Sequence, residues 1–324
     1  MSDLICLGEL LIDFCATAVD VPVGEAPGFD KAPGGAPANV AVAARRLGAS
    51  VGFVGAVGDD PFGAFLADVL AAEGIDTAGL VRLADVKTPL AFVARRSDGA
   101  GDFFFYHDAG LAPLTPDVVD PAAIASATAL HFGSISRIEP AAREATDKAR
   151  RAATEAGLLI GYDPNYRPRL WSDEAEARRR LREGFDGATV VKVSEQEWAF
   201  CLGTDDFAAG ARQVLDAGVE LVVRSEGAAG ARFATRRFAG HIDAFEVEPV
   251  EFTGAGDAFV GSLLADLLAA RADGATPADL AEADLRRILR RANAAGALAT
   301  TRAGAIPALP TREQLDGFLA DHAR

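Results

Sequence analysis

Thr253-Gly254-Ala255-Gly256-Asp257-Ala258-Phe259 marks the point where an extended segment, Phe252-Thr253, gives way to a helix-patterned stretch, Gly254–Ala270. Two glycines flanking an alanine keep bulky side chains away from that junction. Backbone N–H groups at the positive end of the helix can then converge on an anion. Asp257 falls in the first helical turn, beside the anion position. A carboxylate there can take the proton of a hydroxyl that attacks phosphorus. Taken alone, the same stretch also reads as a glycine-rich turn with Asp257 as an ordinary helix-start residue. A Walker A loop is absent, because no GxxxxGK[ST] occurs in the chain. A dinucleotide fingerprint fits poorly, since Phe259 stands where its third glycine belongs. An NAD-dependent oxidoreductase is disfavoured on that ground.

Upstream of this turn, short apolar runs alternate with amphipathic helical patterns. Leu4–Leu7, Val51–Val54, Leu130–Phe132, Leu158–Gly161, Val190–Val193 and Leu221–Val223 read as buried strands. Ala36–Leu47, Pro61–Glu73, Pro140–Ala156, Glu174–Gly184 and Ala208–Ala217 read as helices between them. Repetition of this kind predicts an α/β fold with a mainly parallel central sheet flanked by helices. Ala231–Ala234 and Gly240–Phe245 read as further strands, and Leu285–Thr301 as a second long C-terminal helix. No repeat or low-complexity linker divides the chain, which predicts a single domain over residues 1–324. Two segments break the rhythm. Phe14–Lys31 is rich in Val, Pro and Gly, and Thr88–His107 carries Leu90–Arg95 and Asp102–Tyr106 around a turn, as in a hairpin. Segments 14–33 and 88–110 are therefore expected to form a small inserted β lid that excludes water.

Composition narrows the function. The 324 residues carry a formal charge of −15, which argues against nucleic acid and requires any phosphate site to be locally positive. No apolar run reaches the roughly 18 residues of a membrane helix, and the acidic start is unlike a secretory signal. A cytoplasmic protein without membrane partners is expected. Cys6, Cys15 and Cys201 are widely spaced and read as buried free thiols, and no histidine grouping suggests zinc.

A second glycine cluster, Gly34-Gly35-Ala36-Pro37-Ala38-Asn39, also opens a helix. Asn39 offers a donor and an acceptor, and with Asp13 after the first strand it makes a plausible wall for hydroxyl groups. Taken singly, each also reads as a turn or cap. Asp163, Asn165 and Arg167 follow a buried strand, at the end where open α/β sheets place ligands. Arg167 can present a fixed positive fork to phosphate oxygens, or simply pair with an acid at the surface. Lys192 can serve phosphates or finish a strand.

Together, GGAPANVA, DPNYRPRLW, VKVSEQE and TGAGDAFVG, in this order, resemble the ribokinase-like (PfkB) carbohydrate kinases over nearly the whole chain. HFGSIS at His131–Ser136 and VKVSEQE at Val191–Glu197 are most similar to the fructokinase branch. The resemblance implies a Rossmann-like body with a β lid, transfer of the γ-phosphate of ATP to a sugar hydroxyl, Mg²⁺, and often a homodimer. It implies Asp257 as the base and the N–H groups of Gly254, Ala255 and Gly256 as an anion hole. Asp13, Gly34, Gly35 and Asn39 are implied to hold the sugar, with Tyr106 from the lid and Asp163 and Asn165 beside it. Glu197 is implied to place Mg²⁺ and phosphate, often through water, with Ser194 opening its motif. Ser225, Gly227 and Gly230 match the nucleotide-side turn, and Asn293 the adenine side, where a helix-packing role fits as well.

Two departures stand out. Glu251-Phe252-Thr253 replaces the family's Asp-Thr-Thr, leaving a monovalent-cation site open to question. His107 and Ala112 stand where fructokinase-like members carry arginine and aspartate. A fructokinase is the first expectation. A 2-keto-3-deoxygluconate kinase is the alternative, since its arginine-bearing segment can serve an acidic sugar. A sugar- or nucleotide-binding regulator without catalysis is the third reading.

Overall fold

The computed structural model describes residues 2–107 and 110–322. In chain order the elements are β1 (Leu4–Leu7), β2 (Leu11–Val19), β3 (Phe29–Gly34), α1 (Ala36–Arg46), β4 (Val51–Gly58), α2 (Pro61–Ala72), β5 (Asp76–Leu83), β6 (Leu90–Arg95) and β7 (Gly101–Tyr106). There follow α3 (Pro121–Ala125), β8 (Ala129–Gly133), α4 (Pro140–Glu155), β9 (Leu159–Asp163), α5 (Glu174–Glu183), β10 (Val190–Ser194), α6 (Glu195–Leu202), α7 (Phe207–Asp216) and β11 (Leu221–Ser225). The chain ends with β12 (Ala231–Ala234), β13 (Ala239–Ile242), α8 (Ala255–Ala272), α9 (Glu282–Thr300) and α10 (Arg312–Asp321).

Nine strands form the main sheet in the order β13-β12-β11-β10-β9-β8-β1-β4-β5. The strands from β11 to β5 run parallel, and β12 and β13 are antiparallel additions at one edge. Helices α1, α2, α8 and α9 bury one face, and α4, α5, α6 and α7 the other. This double cover explains why the central strands read as unbroken apolar runs. The edge strand β5 escapes that reading because its residues are exposed or half-buried and its side chains alternate. β13 stops at Ile242, short of the expected Phe245. The Asn293 amide takes the Ile242 and Asp243 carbonyls at 3.2 and 3.1 Å, drawing the chain off the sheet.

One helix crossing sets the site. A Cβ on Gly261 of α8 would lie 2.4 Å from the Ala43 Cβ of α1, so glycine permits the two helices to touch there. Gly261 lies one turn after Asp257, and Ala43 one turn after Asn39. The crossing therefore brings Asn39 opposite Asp257.

The second sheet has four strands in the order β3-β2-β6-β7, and only β2–β6 is parallel. It starts at Leu11, earlier than the expected Phe14, so Asp13 belongs to it. Positions 108 and 109 of the expected lid segment lie outside the described residues. Register assigns its two faces: Asp13, Ala91 and Phe105 are neighbours on one, and Phe14, Phe92 and Phe104 on the other. The second face is aromatic. Phe14 stacks on Phe92 with centroids 5.2 Å apart, and Tyr106 meets Phe92 edge-on at 5.5 Å.

Candidate active site

At the carboxyl ends of the parallel strands lies a cavity of about 770 Å³, roofed by Gly101, Phe103 and Phe105 of the small sheet. That volume is in the range of small-molecule sites. Its floor comes from Glu9 after β1, Asp163 at the end of β9, Ser194 at the end of β10 and Ser225 at the end of β11.

The turn before α8 supplies a buried carboxylate. Gly254 caps the helix with φ +82, a left-handed conformation suited to glycine, and Asp257 sits in the first turn. Asp257 is 8 % exposed, and its Oδ2 accepts a hydrogen bond from Asn39 Nδ2 at 2.8 Å. Burial raises its pKa to about 6, against the lowering influence of the Asn39 bond, Arg167 and Lys192. A carboxylate tuned upward is a better proton acceptor near neutral pH than an exposed one. Gly256 leaves room for positive charge, because a Cβ there would lie 3.1 Å from Lys192 Nζ. Lys192 donates to Asp163 Oδ2 at 3.0 Å, with both side chains buried. Burial would lower the lysine's pKa, but the charges of Asp163, Glu197 and Asp257 and the bond to Asp163 outweigh it and hold it raised. A cation is thus kept beside the anion turn. Arg167 lines the same cavity, its guanidinium 5.5 Å from the Phe103 ring centroid.

The opposite wall is acidic. Burial lifts both Glu9 and Asp13 to a pKa of about 7. Glu9 Oε1 accepts from Ala36 N–H, at the start of α1, at 3.1 Å, whereas Oε2 is buried without a partner. Asn39 Oδ1 is likewise unpartnered. Buried acceptors left unsatisfied cost about 1–3 kcal/mol each, so this wall gains by meeting hydroxyl donors.

Among the described residues, the lining gathers Asp257, Gly254, Gly256, Arg167, Asp13, Gly35, Asn39, Asp163, Asn165, Lys192, Ser194, Ser225 and Gly227. Six other expected site residues stand apart from it. The Ala255 N–H, expected to face an anion, donates instead to Phe252 O at 3.2 Å. Gly34 makes room for an acid, since a Cβ there would lie 2.1 Å from Asp13 Oδ2. Tyr106 is 58 % exposed on the aromatic face, where strand alternation turns it away from Phe105. Glu197 caps α6: Oε2 accepts from Ser194 N–H and Oγ at 2.8 and 2.7 Å, and Oε1 accepts from Tyr166 N–H. Direct metal ligation by Glu197 would break that cap, whereas the expected contact through water would leave it intact. Gly230 serves a tight return, because a Cβ would lie 2.1 Å from Ile242 O. Asn293 holds the end of β13, the packing alternative weighed for it. Glu251, in the departing Glu-Phe-Thr, accepts Gly304 N–H at 3.1 Å.

Sequence reading missed Glu9, Phe103, Phe105 and Phe252 in the lining. The strand pattern of Asp102–Tyr106 offers two candidate pairs, Phe103 with Phe105 and Phe104 with Tyr106, and only the register with β6 selects the first.

Residues 1–312 match the pfkB family carbohydrate kinase. The chain is 44% identical over 318 residues to "Probable fructokinase-4" of Arabidopsis thaliana, covering 98% of this chain and 96% of that one. A fructokinase from Xylella fastidiosa with bound ATP superposes with a TM-score of 0.88 at 34% identity, covering 100% of both chains. A fructokinase from Vibrio cholerae O395, in fructose, ADP and calcium ion bound form, gives 0.86 at 33% identity, covering 98% of this chain and 99% of that one. With a buried carboxylate at a helix start and fixed cations beside it, the chain belongs to the pfkB family of carbohydrate kinases and is an ATP-dependent sugar kinase.

Proposed function

We propose that this kinase phosphorylates fructose, with Asp257 as base, Arg167, Lys192 and the Gly256 N–H facing the transferring phosphoryl group, and Asp13, Asn39 and Glu9 receiving the sugar. The observation that carries this reading is the Asn39–Asp257 hydrogen bond of 2.8 Å, which fixes the base where the hydroxyl-binding wall meets the anion turn. The acidic character of the Glu9–Asp13 wall suits a neutral polyhydroxylated substrate. A 2-keto-3-deoxy acid has one supporting feature, Arg169 in the lining, but its guanidinium already donates to Phe103 O at 3.2 Å.

In the reaction, the sugar oxygen attacks γ-phosphorus, its proton passes to Asp257 Oδ, and the bridging oxygen leaves with ADP. Fixed positive groups stabilise charge spread over the phosphoryl oxygens without reorganising. The Ser225–Gly227 turn receives the nucleotide, where Gly227 at φ +57 has no atom near its Cβ position. A divalent cation, here assigned as Mg²⁺, supplies charge neutralisation on the phosphates. The donor set fits it: the lining offers carboxylate oxygens and neither His nor Cys. Mg²⁺ keeps several waters and substrate phosphate oxygens as ligands and needs few protein oxygens. Asp163, in the lining at the end of β9, would help hold it, and Glu197 would act through water.

Phe104 and Tyr106, 52 % and 58 % exposed on the aromatic face, support a homodimer that covers this face. No described helix is long and apolar enough to cross a membrane. Free Cys6, Cys15 and Cys201 suit a reducing cytoplasm. Coupled ADP release over fructose, other hexoses, ribose and 2-keto-3-deoxygluconate tests the substrate. Fructose is expected to give the highest kcat/KM, and a tenfold preference for the keto-deoxy acid would replace it.

A further inference from the structure

Phe252 is an oddity at the cavity rim: a large apolar ring, 47 % exposed, two residues before the glycine that caps α8. It meets the tip of the β6–β7 hairpin. That tip is a closed turn, with Arg96 N–H donating to Ala100 O at 2.9 Å and Gly99 N–H to Arg96 O at 3.0 Å. Asp98 Oδ1 fastens it further by accepting Ala100 N–H at 3.1 Å. Gly99 has φ +82, and a Cβ on it would stand 2.8 Å from the Phe252 ring. Its carbonyl accepts Phe252 N–H at 3.2 Å, and the Phe252 carbonyl in turn accepts Ala255 N–H at 3.2 Å. Two successive backbone hydrogen bonds thus lead from the tip of the small sheet to the start of the helix that carries Gly256 and Asp257.

We infer that Phe252 is a positioning residue for phosphoryl transfer: with Gly99 it latches the small sheet over the cavity and ties that latch to the anion turn. Covering the sugar and setting the turn are then one event. The inference rests on the sugar-kinase chemistry above and adds a consequence to it. With the latch made, the sugar oxygen is the nucleophile that reaches γ-phosphorus. With the latch broken, water enters; its oxygen bonds to γ-phosphorus, the same bridging bond breaks, ADP and inorganic phosphate form, and the proton goes to Asp257 and then to solvent. Closed sites suppress such hydrolysis by excluding water.

The test compares ADP released with sugar phosphate formed, in the wild-type chain and in Phe252→Ala, Phe252→Leu and Gly99→Ala. The wild-type chain is expected to give one ADP per sugar phosphate. Phe252→Ala should lower transfer by about 10-fold or more, as small misplacements at a reacting centre do. It should also release excess ADP with or without sugar, at an unchanged KM for ATP. Phe252→Leu should restore most of the coupling, and Gly99→Ala, strained by its φ and pressed on the ring, should uncouple in the same direction. A Phe252→Ala variant with wild-type transfer overturns the latch. So does one whose transfer and melting temperature fall while the stoichiometry stays one to one. Absence of fructose phosphate from the wild-type chain is a separate result, and it counts against the substrate assignment.

Discussion

The nine-stranded sheet brings charge to the cavity through its strand ends, whereas the four-stranded sheet brings aromatic rings, a glycine-containing tip and the carboxylates Asp13 and Asp102. The charged groups rest on elements buried from both faces: Lys192 ends in an ion pair with Asp163, and Asp257 is clamped by Asn39. The small sheet turns one face to the cavity and on the other exposes Phe104 and Tyr106, while Leu11, Ile12 and Ala91 of β2 and β6 anchor it in the body's cores. The lesson is a division of labour, with the charged groups fixed by the body and the apolar cover supplied by the roof.

Removing the base should expose this division most sharply. Asp257→Ala is expected to cut kcat by roughly 10²–10⁴-fold while ATP still binds, because the cations and free backbone groups of the body remain. Isothermal titration with ATP alongside steady-state kinetics checks both halves, and a variant that keeps most of its kcat would remove Asp257 from the mechanism. Arg167→Ala comes next, at roughly 10–100-fold in kcat with a smaller change in sugar KM. A change confined to sugar KM would move Arg167 from the phosphate to the sugar.

A subtler test leaves every site residue in place. In Gly261→Ala the new Cβ would press on Ala43 Cβ at 2.4 Å, Ala44 N at 2.9 Å and Val40 O at 3.0 Å. Relief requires α1 and α8 to separate, which pulls Asn39 from Asp257. Overpacking of this kind costs about 1–3 kcal/mol, and a several-fold loss of kcat should accompany the lowered melting temperature. Unchanged kcat in a destabilised variant would show that the helix crossing does not position the base.

The two sheets also differ in how much of them can be read from sequence. Central strands buried on both faces, such as Leu4–Leu7, appear as continuous apolar runs, and the glycine turns before α1 and α8 carry their own signal. Asp257, Asn39 and Arg167 were legible because each follows such a run or turn. Phe103 and Phe105 were not, since the four consecutive aromatics of β7 give no clue to which pair faces inward until its register with β6 is known. Glu9 was passed over because its importance lies in a contact 27 positions away, at Ala36 N–H. The bond from Ala255 N–H to the Phe252 carbonyl was not legible either, because it depends on how the segment enters the helix.

Proton affinity gives the finest test of the acidic wall. Burial raises Asp257 to about 6 and Glu9 and Asp13 to about 7, all above their unfolded values. As a base Asp257 must be ionised, so kcat/KM should climb as pH rises through about 6 and level off above about 7. Stability should move the opposite way. A carboxyl with a raised folded pKa contributes stability that is complete below its unfolded pKa and is lost as pH rises through the folded one. The loss here spans about pH 4 to 7. Glu9→Gln keeps an oxygen for the Ala36 N–H and removes the charge, so it should stabilise the empty enzyme at pH 8 by on the order of 1 kcal/mol, or a few degrees in Tm. At pH 4.5 that gain should nearly vanish. A Tm difference independent of pH would mean that Glu9 is already neutral, or well solvated, across the range, and the wall would then owe its character to Asp13 alone.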